Sequence, residues 1–182
     1  MYLAMPSVVL TMIYPTLKRW TNLAPIPLGL MFGAGTCMGW SDFADPRYHW
    51  QVLVPLYAGF CLWTITFETI YQHQDRAEDI KLGLHSMAIL FGRHTIPLCT
   101  LSALSFLSLM AFAGWQNGHG IAFYAGLVVA AWLLLPRLLS TYIDRPEDCK
   151  RLFLGSPFVG EAVLGGLLVD VVYHRFATGF AL

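Results

Sequence analysis

Charged side chains are scarce in this sequence, and their scarcity excludes a soluble globular fold. Only 12% of the 182 residues are charged, and 57% are hydrophobic, whereas an ordinary soluble domain carries about 25% charged residues. Asp, Glu, Lys and Arg are all absent from residues 1–17, 20–41, 48–67 and 94–136. A helix needs roughly 20 mostly apolar residues to cross a bilayer. The chain is therefore predicted to be an integral membrane protein.

Two further absences limit the kinds of function. The formal net charge is zero, so the sequence offers no overall positive field for nucleic acid, and no nucleic-acid partner is expected. The four cysteines, Cys37, Cys61, Cys99 and Cys149, lack the paired spacing of metal sites, and we interpret them as small apolar residues. No protein partner is predicted from the sequence.

The apolar segments predict an all-α bundle of about six transmembrane helices within one membrane domain, residues 1–182. The predicted helices cover residues 3–17, 24–40, 51–74, 97–115, 121–139 and 156–174. With six spans, nine of the eleven basic residues fall in loops on one side, and only Arg47 and Arg175 fall on the other. This bias turns the basic side toward the cytosol or an equivalent compartment. Two long polar loops, 73–95 and 137–155, lie on that side, where we expect the chemistry.

An acidic segment follows the third predicted helix. The segment is predicted to leave the membrane as helix, so that Glu68, Asp75 and Asp79 lie within about 40° of one another on one helix face, with Tyr71 beside them. Asp75 and Asp79 are one turn apart, and two such carboxylates can share a Mg²⁺ ion that keeps water and phosphate ligands. A solvated helix end with mixed charges is the alternative. Glu68 favours the functional interpretation, because an ionisable residue in the hydrocarbon region is costly and marks a functional site.

Residues 68–83, which begin Glu68-Thr69-Ile70-Tyr71-Gln72-His73-Gln74-Asp75, resemble the second aspartate-rich motif of the UbiA family of membrane prenyltransferases. The similarity is greatest to 4-hydroxybenzoate polyprenyltransferases and related meroterpenoid enzymes. Residues 86–92 resemble the end of that motif, and residues 14–21 resemble a second family signature. The resemblance implies a nine-helix bundle around a central cavity, in which two aspartate-rich motifs hold a prenyl diphosphate through Mg²⁺.

The resemblance also assigns roles to individual residues. Asp75 and Asp79 would bind Mg²⁺, and Lys18 and Arg19 would contact the diphosphate. Glu68 and Tyr71 are the candidate catalytic residues. The implied reaction transfers a prenyl group to a phenolic or hydroxybenzoate-type acceptor, in ubiquinone or meroterpenoid biosynthesis. The implied location is the mitochondrial inner membrane or an endoplasmic membrane, between which the sequence does not distinguish.

One family feature has no counterpart in the sequence. The first aspartate-rich motif, of the Asn-Asp-x-x-Asp type, is absent, and six helices are predicted where the family has nine. We therefore expect an N-terminally truncated chain without prenyltransferase activity of its own. Two alternatives stay open: a non-catalytic remnant that associates with membrane partners, and a transporter in which Glu68 and Glu161 line a polar path.

Four other ionisable residues are interpreted as surface groups. Glu161 and Asp170 are nine residues apart on the last predicted span, and we expect them near the two membrane interfaces, in contact with water. His73 and His85 lie in a polar loop and are expected to be surface histidines.

Overall fold

The computed structural model describes residues 4–178, and the side chains of all of these except Arg175 and Thr178. The predicted start of the first helix at residue 3, and any role of the Arg175 side chain in the charge bias, lie outside this description. The described residues form eight α-helices and no strand. In chain order they are α1 (Met5–Leu17), α2 (Pro25–Ser41), α3 (Trp50–Gln72), α4 (Arg76–Lys81), α5 (Met87–Phe91), α6 (Thr95–Gln116), α7 (Ile121–Leu139) and α8 (Pro146–Thr178).

Six of the helices match the six that hydropathy predicts, which confirms the all-α membrane bundle. Four segments are long and apolar enough to cross a membrane: Trp50–Gln72, Met87–Gln116, Ile121–Leu139 and Pro146–His174. The second of these joins α5 and α6 through a short 3-10 turn. The other two helices, α1 and α2, have 13 and 17 residues. The chain is a multi-pass membrane protein.

The last helix begins ten residues earlier than predicted. Pro146 starts α8, and Glu147 and Asp148 lie in its first turn. Proline suits the first turn because its missing N–H has no partner there anyway, and carboxylates are favoured at the positive end of the helix dipole. The predicted polar loop 137–155 is therefore mostly helix.

The acidic segment is not continuous with α3, so the prediction that Glu68, Asp75 and Asp79 share one helix face is wrong. Helix α3 ends at Gln72, and Asp75 is the N-cap of α4, where its carbonyl accepts the Asp79 N–H at 2.8 Å. At the break, the ring of His73, the C-cap of α3, is hydrogen-bonded to Thr95 Oγ1 at 2.9 Å. Asp75 and Asp79 remain one turn apart, on a helix separate from the one that carries Glu68.

Small residues allow the helices to approach closely. A Cβ atom on Gly29 of α2 would lie 2.9 Å from the Cys61 carbonyl oxygen of α3, and one on Gly126 of α7 would lie 2.7 Å from the Gly166 Cα of α8. Such contacts replace the hydrophobic drive that lipid cannot supply between helices. In the centre of the bundle, Trp63 of α3 stacks on Phe106 of α6 with ring centroids 5.6 Å apart.

The carboxylates of α8 have different environments, and the expectation that Asp170 is hydrated is wrong. Asp170 is 1% exposed and accepts hydrogen bonds from the Gly120 N–H at 2.9 Å and from His119 Nδ1 at 3.1 Å. A negative group there also suits the N-terminus of α7. Glu161, in contrast, is exposed. Asp170 therefore anchors the start of α7 to α8.

Candidate active site

The end of α1 meets α4 through a salt bridge. Lys18 Nζ donates to both carboxylate oxygens of Asp79, at 3.0 Å and 3.3 Å. The Asp79 side chain is 6% exposed and that of Lys18 is 32% exposed. The structure thus brings together the cation expected to contact a diphosphate and a carboxylate expected to bind Mg²⁺.

A polar strap fixes the backbone around Lys18. The carbonyl of Lys18 accepts the His85 N–H at 2.7 Å, and Asn22 Oδ1 accepts the Ser86 N–H at 3.0 Å. The strap turns at Gly83, whose φ of +66° is one that glycine adopts without steric cost. These contacts hold the end of α1 against the loop that follows α4.

Arg19 has a more open position than Lys18. Its side chain is exposed, and it shares with Lys18 a groove that runs between the end of α1 and residues 82–84. Two cations at the wall of an open groove can approach a multiply charged anion, and an arginine can do so with two parallel hydrogen bonds.

The acidic residues of α4 suit Mg²⁺ only as a partial site. Asp75 is half-buried and Asp79 is buried. Among residues 4–178, no group of three or more His, Cys, Asp or Glu side chains is arranged to hold a metal ion. Mg²⁺ commonly binds through one or two carboxylates and completes its six ligands with water and substrate phosphates. The donor set therefore fits Mg²⁺ held jointly with a phosphorylated substrate.

Glu68 lies on α3, about two turns before Asp75, and its carboxylate joins α3 to α1. It is 9% exposed, and Tyr14 Oη donates to its Oε1 at 3.1 Å. A carboxylate buried at this depth requires such a partner. Tyr14 is not among the residues to which the resemblance assigns a role, although it begins the segment 14–21 that resembles a family signature and lies one turn before Lys18.

Aromatic side chains form a ladder along α3. Trp63, Phe67 and Tyr71 follow one another at four-residue spacing, which places them on one helix face. Trp63 and Phe67 have ring centroids 5.6 Å apart. Phe153 of α8 contacts both upper rungs, at 5.9 Å from Phe67 and 4.5 Å from Tyr71. The predicted catalytic residue Tyr71 is 37% exposed at the top of this ladder.

An apolar cavity of about 670 Å³ begins at the foot of the ladder. Trp63 lines it, and so do side chains of α2, α6, α7 and α8, among them Trp40, Met110, Phe123 and Val163. Trp63 and Tyr71 are separated by eight residues, or about 12 Å along the helix axis. The ladder therefore joins the acidic end of the bundle to its apolar interior.

Two neighbouring polar side chains are structural, and sequence reasoning missed both roles. Gln72 Oε1 accepts the Met87 N–H at 2.9 Å, which satisfies the start of α5. His73, expected at the surface, is buried and bonded to Thr95, so that expectation is wrong. His85 is exposed as expected.

His73 makes the folded protein sensitive to acid. Burial, and secondarily the nearby charge of Arg76, lower the pKa of His73 from 6.5 to about 4. Between these values the unfolded chain binds the proton and the folded chain does not, so stability falls as pH falls from 6.5 toward 4. We expect thermal unfolding of the detergent-solubilised protein to show a lower Tm at pH 5 than at pH 7.5. His73→Gln should reduce that difference, His85→Gln should not, and equal pH dependence in all three proteins would contradict the assignment.

These features define a class of protein, a helical membrane bundle with a carboxylate motif, adjacent cations and an apolar cavity. Such a bundle is suited to a substrate with an anionic head and an apolar tail. Its fold is that of a UbiA homologue from Aeropyrum pernix K1 in the apo form, with a TM-score of 0.72 over 91% of this chain and 62% of that one, at 20% identity.

The sequence comparisons are more specific than the fold. A sequence model of the UbiA prenyltransferase family matches residues 1–160, and the chain belongs to that family. It is 39% identical to the mitochondrial 4-hydroxybenzoate polyprenyltransferase of Schizosaccharomyces pombe, over 96% of this chain and 49% of the relative. The human enzyme of the same name is 32% identical, over 94% and 46%. A 4-hydroxybenzoate octaprenyltransferase of Yersinia pseudotuberculosis is 33% identical, over 93% and 58%. The chain thus spans about half the length of these curated relatives.

Proposed function

We propose that this chain takes part in Mg²⁺-dependent transfer of a prenyl group from a prenyl diphosphate to a hydroxybenzoate-type phenol, as in ubiquinone biosynthesis. The observation that carries the proposal is the Lys18–Asp79 contact. In this contact a cation lies next to the acidic motif. The motif follows the end of α3, whose aromatic ladder leads to the apolar cavity. The names of the curated relatives support the same acceptor class.

The diphosphate binds at the acidic end of the bundle. Lys18 and Arg19 contact its oxygens, and Asp75 and Asp79 are the residues that would hold Mg²⁺ there. When bound, the metal supplies positive charge that stabilises the departing diphosphate. Lys18 would then give up part of its contact with Asp79 to the diphosphate, and Asp79 would keep a positive partner in the bound metal.

The prenyl chain extends from this end toward the cavity lined by Trp63. The allylic C–O bond breaks, its electron pair leaves with the diphosphate, and the remaining allylic cation lies along the faces of Tyr71 and Phe67. Aromatic faces attract cations within about 6 Å. A ring carbon of the acceptor forms the new C–C bond, and the proton that this carbon loses passes to Glu68. The apolar walls keep water from the cation.

The transporter alternative lacks support in this arrangement. It requires Glu68 and Glu161 to line one polar path. Glu68 is almost fully buried against Tyr14, whereas Glu161 is exposed.

The proposal is tested with a chimera, because the chain spans about half of its relatives. The parts of the S. pombe relative outside the matched region would be joined to this chain in their natural order and expressed in membranes that lack prenyltransferase. Radiolabelled prenyl diphosphate would be supplied with 4-hydroxybenzoate or with a polyketide-type phenol, with and without Mg²⁺. We expect Mg²⁺-dependent labelling of 4-hydroxybenzoate.

The controls separate the possible outcomes. The same segments without this chain should give no product. Labelling of the polyketide-type phenol alone would move the proposal to meroterpenoid biosynthesis. A membrane-inserted chimera that releases no diphosphate with either acceptor would favour the non-catalytic alternative and overturn the proposal.

A further inference from the structure

A second polar groove lies between the end of α7 and the start of α8, separate from the acidic motif. It has a volume of about 590 Å³. Its cationic lining residues are Arg137, Lys150 and Arg151. Both helix ends belong to the side of the chain that is rich in basic residues, where the phosphates of the bilayer surface lie.

Arg137 is placed in the groove by a glycine. A Cβ atom on Gly155 would lie 2.7 Å from Arg137 Nη1, so the guanidinium passes directly over the bare backbone of α8. No carboxylate lies within salt-bridge distance of Arg137 or Lys150 in the part of the chain that the structure describes. Arg151 has a distant partner, Asp148, at 3.9 Å. Two cations of the groove are therefore available to an anion.

The α8 wall changes from charged to apolar along one stripe. Lys150, Leu154 and Phe158 succeed one another at four-residue intervals, which places them on one helix face. Leu154 is 60% exposed and Phe158 is 54% exposed. The stripe runs from the N-terminus of α8 into the apolar part of the Pro146–His174 span.

We propose that this groove binds the headgroup of an anionic phospholipid. Arg137 and Lys150 contact the phosphate, and Leu154 and Phe158 contact the acyl chains. Basic pockets between transmembrane helices on the cytosolic or matrix side bind such headgroups. The acidic lining residues Glu147 and Asp148 lower the net positive charge, and this favours a phosphodiester with one negative charge over a multiply charged ion. The apolar half of the stripe has no use in a site for free phosphate.

The test measures lipid retention and not turnover, so its result is independent of the proposed reaction. The purified 182-residue chain would be placed in phosphatidylcholine nanodiscs with a small fraction of phosphatidylglycerol. Lipid that remains bound after transfer to detergent would be counted by native mass spectrometry. We expect one phosphatidylglycerol per chain, and about tenfold less retention in Arg137→Gln/Lys150→Gln.

Matched variants separate the groove from general surface charge. Lys81→Gln/Arg93→Gln also removes two exposed cations from the basic side and should retain lipid normally. Arg137→Lys/Lys150→Arg should restore retention. Gly155→Ala should weaken it by displacing the Arg137 guanidinium, whereas Gly165→Ala, where a Cβ meets open space, should have no effect. Ser140→Asp provides a second test if loss of Arg137 impairs folding. It adds a carboxylate to the groove and should reduce retention of the anionic lipid.

Three results would overturn the proposal. One is equal retention by the wild type, Arg137→Gln/Lys150→Gln and Ser140→Asp, with circular dichroism showing normal helix content. Another is equal loss from the Lys81→Gln/Arg93→Gln control. The third is full displacement of the lipid by inorganic phosphate at constant ionic strength, which would identify a site for free phosphate.

Discussion

Asp79→Asn should lower prenyl transfer by the chimera by about 10²–10³-fold, the scale of losing one electrostatic contact to the transition state. The substitution removes the negative charge that would hold Mg²⁺ at the diphosphate and keeps the size of the side chain. The effect should fall on kcat more than on KM, because charge on the leaving oxygen develops as the C–O bond breaks. Steady-state kinetics over a range of Mg²⁺ concentrations would measure it.

Two neighbouring substitutions make that result specific. Asp75→Asn should cause a loss of similar size, although Asp75 is half-buried and the carboxylate that Lys18 bonds to is that of Asp79. Glu78→Gln removes an exposed carboxylate of the same short helix and should leave transfer unchanged. Near-normal turnover in either aspartate variant would defeat the metal assignment, and an equal loss in Glu78→Gln would reduce it to a general effect of helix charge.

The fold could be predicted from hydropathy to a large extent, because a bilayer admits few structures. A chain in hydrocarbon must satisfy its backbone hydrogen bonds internally, so long uncharged segments become helices. Hydropathy could not locate the start of α8, since its first turns are polar and extend beyond the apolar span. The capping signals Pro146, Glu147 and Asp148 contain that information.

The site was predictable in composition but not in geometry. The shared face of Glu68, Asp75 and Asp79 requires α3 to continue through residue 79, whereas α3 ends at Gln72 and the next residue, His73, bonds to Thr95 of α6. That contact joins residues 22 positions apart, beyond the reach of any periodicity. Lys18 and Asp79 were each identified by resemblance, yet their pairing across 61 positions depends on how α1 packs.

Asp170 shows that the environment of a membrane carboxylate can be predicted from a general rule. Ionisable residues within membrane segments usually face the protein interior and have a partner. His119 lies in the loop before α7, at the membrane end where the span containing Asp170 finishes. The sequence therefore contains the partner, and the cost of leaving a carboxylate unpaired near hydrocarbon favours the buried, paired position of Asp170 over a hydrated one.

The Lys18–Asp79 pair should separate stability from catalysis in a double-mutant cycle. Lys18→Met leaves the buried Asp79 carboxylate without its cation. We expect the free energy of unfolding to fall by about 1–3 kcal/mol. This loss is smaller than for a fully buried pair because Lys18 is partly exposed. Asp79→Asn removes the buried charge itself and should cost less. Lys18→Met/Asp79→Asn should recover stability, since neither charge is then left alone, and the cycle should show a coupling energy of about 1–2 kcal/mol.

The rate of prenyl transfer, in contrast to stability, should not recover in the double variant. Both residues act on the substrate in the proposed reaction, one on the diphosphate and one on its metal, so the double variant of the chimera should be no more active than either single variant. Unfolding in detergent would give the stability cycle, and transfer assays on the same preparations would give the kinetic one. Additive stability losses would show that the 3.0 Å contact contributes no net coupling. Recovery of transfer together with stability would show that Lys18 and Asp79 only hold α1 against α4, and the diphosphate site would have to be sought elsewhere.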